Sequence, residues 1–422
     1  MTRRSLVLAA CVTVAMFMPA RTTAAPDFEL PAVQLRVQLG RLLGEHALLV
    51  IEAMRTGISG GEQFEVVAGA VEDNTLELVA AVEDVYGPAA GEEFGEHWRA
   101  HIAYLVDYTR AVAADDPEAQ ALAAEQLEGY VEHFSHFLSS ANPLLPEDVV
   151  ADLIDEHRAQ LSQIAEIAEG DYDQGYEALR ETYRHMYAIG DGLALAIVGQ
   201  FPERFPGREV AFGPAVDVRV TLDRLLGEHV YLAAAVMRAR LERAEDFSAA
   251  VGTVEANSAE LSGVIEGIYG GAAGAAFNDL WSSHVEHYLA YVDAVAADDA
   301  SGGEAALAAL GTYRADFGEF LADANPYVDA EALQTMLARH TDHLTEQVVL
   351  YRDEAYEDAY RIGRHGYAQT AELAAGLGGA IADQFPVRFP DTAMKGPLGN
   401  DGDSAMPWPS CGPAAWQGPH PT

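Results

Sequence analysis

Basic residues are scarce in this chain: 25 lysines and arginines stand against 66 aspartates and glutamates, a formal net charge of −41 over 422 residues. Such a surface repels phosphate backbones and anionic bilayers, which argues against nucleic acid or an acidic membrane as partner. Cysteine is nearly absent. Of its two copies, Cys11 sits in an N-terminal apolar stretch and Cys411 near the C-terminus, so no disulfide can staple the region between them. The β-branched alternation of strands is missing. The chain also lacks a Gly-x-Ser-x-Gly elbow, a phosphate loop and a dinucleotide fingerprint.

Residues 1–25 read as an export signal, with Arg3 and Arg4 as the positive start and Thr23-Ala24-Ala25 as the cleavage site. The apolar run between them, Ser5 to Ala20, is too short and interrupted for a stable span, so no integral membrane segment is expected. A secreted or extracytoplasmic location follows. Thr2-Arg3-Arg4 also resembles a twin-arginine signal, and Leu8-Ala9-Ala10-Cys11 fits a lipid-anchoring motif by letter. Residues 391–422, rich in Pro, Gly, Ser and Asp without apolar period, read as a disordered tail.

Between these ends the composition is helical. Alanine, leucine and glutamate dominate, and half of all residues are apolar, enough for a real core. Breakers at Gly57 to Gly61, Tyr86-Gly87-Pro88, Asp116-Pro117, Asn142-Pro143 and Gly170 divide residues 31–205 into about six helical segments. Residues 214–390 repeat the pattern. Leu42-Leu43-Gly44-Glu45-His46 matches Leu225-Leu226-Gly227-Glu228-His229 at an offset of 183, which also carries His101 onto His284 and His157 onto His340. A three-residue deletion near Gly170, reducing the offset to 180, would place His185 on His365 and lengthen the last helix of the second copy by four residues. The expectation is an all-α protein of two tandem antiparallel helical bundles, made by internal duplication.

The histidines are the chemical signal. His46 lies in the apolar stripe Leu35, Leu39, Leu42, Leu49, and His101 in the stripe Phe94, Trp98, Leu105, Tyr108; His157 falls between Leu153 and Leu161. Each is near the middle of its helix, so in an antiparallel bundle the rings share one level. Other histidines have drifted between the copies: His97 meets Leu280, and His133 meets Asp316. The candidate metal ligands are therefore His46, His101, His157 and His185, with His229, His284, His340 and His365 in the second copy. Glu45 and Glu228 stand directly before the first histidine of each set, about 100° around the helix. They, together with Asn74, Asn257, Tyr130 and Tyr313, are possible accessory groups.

An all-nitrogen set suits Zn, Cu or Fe over Ca or Mg. Four histidines fully surround a tetrahedral ion, which favours holding over catalysis, since a catalytic zinc keeps an open position. The paired Glu-x-x-His of di-iron carboxylate bundles is missing. The expected function is thus exported capture or buffering of a transition metal, one ion per bundle. Two further readings are a structural or partner-binding module with a polar histidine core, and a metal-dependent oxidase or hydrolase.

The ordered run Glu45-His46, His101-Ile102, Ala141-Asn142-Pro143, His157, His185 and Gln200-Phe201-Pro202 resembles a group of uncharacterised bacterial helical-bundle proteins, here in tandem. The resemblance implies that one bundle is the working unit and that Glu45, His46, His101, His157 and His185 are its signature. It carries no activity. Where that group has an aromatic shortly after Glu-His, this chain has Leu49 and Leu232, which leaves open whether the pocket holds the same ligand.

Overall fold

The structure, a computed structural model, describes residues 27–167 and 170–390. The proposed signal segment with Cys11 and the proposed tail lie outside the described residues. The first bundle consists of α1 (Pro31–Ser59), α2 (Phe64–Tyr86), α3 (Pro88–Ala113), α4 (Pro117–Ala141), α5 (Glu147–Ile167) and α6 (Tyr172–Gln200). A single turn, α7 (Arg208–Ala211), leads to the second: α8 (Pro214–Glu242), α9 (Phe247–Tyr269), α10 (Gly271–Ala296), α11 (Ala300–Ala324), α12 (Ala330–Arg352) and α13 (Tyr356–Gln384). The architecture is all-α, two similar bundles in tandem, consistent with the duplication. No described helix is long and apolar enough to cross a membrane.

Local chemistry explains the boundaries. Proline opens α1, α3, α4 and α8, where its missing N–H costs nothing. The Asp116 and Asp329 carboxylates accept from the free N–H groups of α4 and α12. Gly87 and Gly270, at φ 92° and 90°, each end one helix and start the next in a left-handed conformation that suits glycine.

One end of each bundle is tied by a clamp of three hydrogen bonds. The Tyr86 hydroxyl donates to Gln200 Oε1, the Asn142 amide donates to Tyr86, and the Gln200 amide donates to Ala141 O. Tyr269, Gln384, Asn325 and Ala324 repeat each bond. Asn142 of Ala-Asn-Pro and Gln200 of Gln-Phe-Pro therefore have a structural role.

The same clamp corrects the register of the last helix. α6 and α13 are both 29 residues long. Gln200 pairs with Gln384, Tyr183 with Tyr367 and Arg180 with Arg364, all at an offset of 184. The copies thus differ by one inserted residue before the last helix, with no three-residue deletion and no extra turn. His185 corresponds to Gln369, and His365 has no counterpart among the inward histidines. The mistaken alignment survived in sequence because a four-residue shift is nearly one turn: the face changes by about 40° while the level moves by about 6 Å.

α1 packs on α2, α3 and α6 within its bundle and also on α8 of the other. It is consequently buried on nearly every face. The contact between bundles is reciprocal. Arg364 of α13 donates to Glu45 at 3.0 and 3.1 Å and to Glu77 at 3.1 Å. Arg180 of α6 donates to Glu228 at 3.0 Å through two nitrogens and to Glu260 at 2.8 Å. On the axis between them the hydroxyls of Tyr183 and Tyr367 meet at 3.2 Å, and donate to Arg224 O and Arg41 O respectively. Residue i meeting j while j meets i is the mark of a two-fold relation.

α1 and α6 approach most closely at glycines. A Cβ at residue 190 would lie 2.8 Å from both Cα and N of Gly40, backbone atoms that cannot swing away. Glycine to alanine inside a helix ordinarily gains about 1 kcal/mol. Gly190→Ala is instead expected to destabilise by about 1–3 kcal/mol through overpacking; a urea midpoint at or above that of the wild type would refute the close-packing account.

Candidate metal centre

Each bundle brings histidines from α1, α3 and α5, or α8, α10 and α12, to one level of its interior. His46 is fully buried, and its Nε2 lies 3.3 Å from Nε2 of His101. The copy is close: His229 Nε2 lies 3.2 Å from His284 Nε2. Aromatic packing holds the second ring of each pair. His101 stacks on Tyr130 at 5.0 Å and meets Trp98 edge-on, while His284 stacks on Tyr313 at 4.8 Å and meets Trp281. Tyr130 and Tyr313 therefore position a histidine by ring stacking.

His284 Nδ1 donates to the Trp281 carbonyl. A carbonyl can only accept, so this bond places the proton on Nδ1 and leaves the Nε2 lone pair facing His229. Two ligands on a tetrahedral ion with metal–nitrogen distances of about 2.0–2.1 Å are separated by about 3.3 Å. The paired nitrogens in both bundles already have that spacing. In the second bundle a third joins them: one nitrogen each from His229, His284 and His340 lie within 4.8 Å of one another. No other trio of histidine, cysteine or carboxylate ligand atoms closes this way among the described residues. In the first bundle His157 lies instead beside His185, rings near parallel at 6.4 Å.

The fourth predicted ligand, His185, closes into no trio among the described residues. His185 donates from Nε2 to Leu153 O at 2.9 Å, tying α6 to α5. Gln369 reproduces the bond, its amide donating to Met336 O at 2.7 Å. His365 is exposed and lies near His343, away from the trio. Gln369 was overlooked in sequence, although the matched pairs Arg180/Arg364 and Tyr183/Tyr367 carried the true register.

Glu45 and Glu228 likewise stay outside the trio. Both are buried, and both are engaged by the arginine of the opposite bundle. Asn74 donates to Glu45 at 3.0 Å and to Leu42 O, and Asn257 donates to Glu228 at 2.7 Å and to Leu225 O. The adjacent Glu-His residues thus divide two tasks. The carboxylate faces the other bundle and the imidazole faces its own interior.

Burial keeps the histidines neutral. Desolvation, with smaller contributions from neighbouring histidines, holds His46 and His229 well below the usual imidazole value; the Asn74 side chain works weakly against this at His46. Desolvation likewise takes His101, His157 and His284 to about 3, and His340 to about 4. A neutral imidazole is the form that coordinates a metal. Next to His229 and His284 the remaining space is about 20 Å³, lined by residues such as Val236, Val254 and Tyr288. That is room for one water molecule.

No family model, no curated protein and no solved structure matches this chain.

Proposed function

We propose that the protein binds a transition metal ion in its second bundle through His229, His284 and His340, with water as fourth ligand, and that it acts as an exported capture or buffering protein. The observation that carries this reading is the approach of those three nitrogens to within 4.8 Å, two of them at tetrahedral spacing. Three neutral nitrogen donors suit Zn, Cu or Fe. His46, His101 and His157 form a second, more open site of the same type, expected to bind more weakly because His157 must move to join the pair. The acidic surface raises the local concentration of cations. Three histidines leave a coordination position open, as in catalytic zinc sites. A void of about 20 Å³ beside the ligands nevertheless leaves no room for a substrate, which favours holding over turnover.

The test is elemental mass spectrometry after equilibration with limiting Zn, Cu or Fe(II), on wild type, His229→Ala/His284→Ala and His46→Ala/His101→Ala. About one tightly held ion per chain is expected, lost in the first variant and kept in the second. A wild type that retains none of the three metals sinks the proposal, and the histidines then serve as a polar core.

A further inference from the structure

The contacts that cross from one bundle to the other continue past the glutamates. Asn74 donates from Nδ2 to two acceptors, Glu45 at 3.0 Å and Leu42 O at 3.1 Å. Asn257 does the same to Glu228 at 2.7 Å and to Leu225 O at 3.0 Å. A carboxylate and a carbonyl can only accept, so the NH2 end of each amide is fixed and its Oδ1 is left to accept elsewhere. Asn74 Oδ1 and His46 Nδ1 are both buried with no hydrogen bond elsewhere, and so are Asn257 Oδ1 and His229 Nδ1. At His46, where burial and the His101 and His157 rings oppose a proton, the Asn74 side chain favours one. Buried polar groups are ordinarily satisfied, and each leftover oxygen is matched by one leftover ring nitrogen.

An oxygen that only accepts draws the imidazole proton to Nδ1 and leaves Nε2 bare. His284 also carries its proton on Nδ1, held by the Trp281 carbonyl. The Nε2 atoms of His229 and His284, 3.2 Å apart, then face each other with two lone pairs. A cation between them satisfies that arrangement, and a hydrogen bond cannot. Behind each asparagine the glutamate is itself held by a guanidinium of the other bundle, Arg180 on Glu228 and Arg364 on Glu45.

We propose that each histidine cluster is set from the opposite bundle: Arg180, through Glu228 and Asn257, holds the proton of His229 on Nδ1, and Arg364, through Glu45 and Asn74, does so for His46. The two asparagines are positioning residues that touch no metal. Removing the hydrogen-bond partner of a ligand imidazole typically weakens metal binding about ten- to hundredfold. Affinity in one bundle therefore depends on the docking of the other, and by reciprocity a bound ion tightens the docking. This consequence rests on the metal reading, whereas the proton placement does not.

The test uses the full chain, isotope-labelled at histidine and stripped of metal, with long-range proton–nitrogen spectra that tell an Nδ1–H ring from an Nε2–H ring. Wild type is expected to show Nδ1–H at His46 and His229. Asn257→Leu should switch His229 alone to Nε2–H, now donating to His284, and lower the zinc affinity of the second bundle about ten- to hundredfold. Arg180→Leu should shift His229 toward Nε2–H and spare His46, and Arg364→Leu should do the reverse. The two arginines are equivalent across the two-fold axis, so a general loss of stability cannot produce that crossed pattern. Nε2–H at His229 in wild type overturns the proposal, as does an Arg180→Leu spectrum in which His229 is unmoved or His46 moves equally. The expected proton placement in a chain that retains no metal sinks the metal reading alone, and retained metal with Nε2–H at His229 sinks this one alone.

Discussion

Between pH 6.5 and 5 the metal-free protein is expected to lose stability steeply, while its carboxylates are still ionised. The sign follows from burial. An unfolded histidine titrates near 6.5, whereas His101, His157 and His284 are held to about 3 and His340 to about 4, with His46 and His229 also well below normal. Below pH 6.5 the unfolded chain binds protons that the folded chain cannot. Stability is therefore complete above about 6.5 and falls as the pH drops toward the folded values. Each such group costs up to about 1.4 kcal/mol per pH unit. Several acting together rival the roughly 5–15 kcal/mol that holds a domain folded. Urea midpoints followed by circular dichroism from pH 7.5 to 5 give the slope, and His101→Gln/His284→Gln should flatten it. A midpoint that does not move over this range would mean the rings are solvated and the buried cluster is wrong.

Arg180→Ala is expected to cost about 3–5 kcal/mol, because it strands the fully buried Glu228 without its counter-charge. Asn257 donates to Glu228 and can donate equally to the carbonyl of a neutral amide there, which leaves no buried charge unpaired. Arg180→Ala/Glu228→Gln is therefore expected to recover a large part of the loss. The reciprocal pair, Arg364 with Glu45, predicts the same pattern on the other side of the two-fold axis. Calorimetry adds a second readout: weakening this interface should split one unfolding transition into two as the bundles part company. A single transition with a loss under about 1 kcal/mol would show these ion pairs behaving like exposed ones.

Much of this was legible in sequence, and the limits are instructive. The stops at Gly87 and Asn142 marked real helix ends because glycine, proline and capping chemistry act locally. The stripe containing His46 did point inward, because 3.6-residue periodicity fixes the angle of each side chain around its own helix. His365 was misplaced for the same reason, since a shift of four residues barely changes that angle. Glu45 could be placed beside the site but not assigned, as its partner Arg364 is 319 residues away in the chain.

By itself, then, the sequence determined the helical content, the duplication and the inward set His46, His101, His157 with His229, His284 and His340. Each of these rests on short-range period and on comparing one copy with the other. Tertiary structure alone decided that three nitrogens close in the second bundle and that both glutamates answer to the opposite bundle. Those are distances between helices far apart in the chain, and no periodicity encodes them.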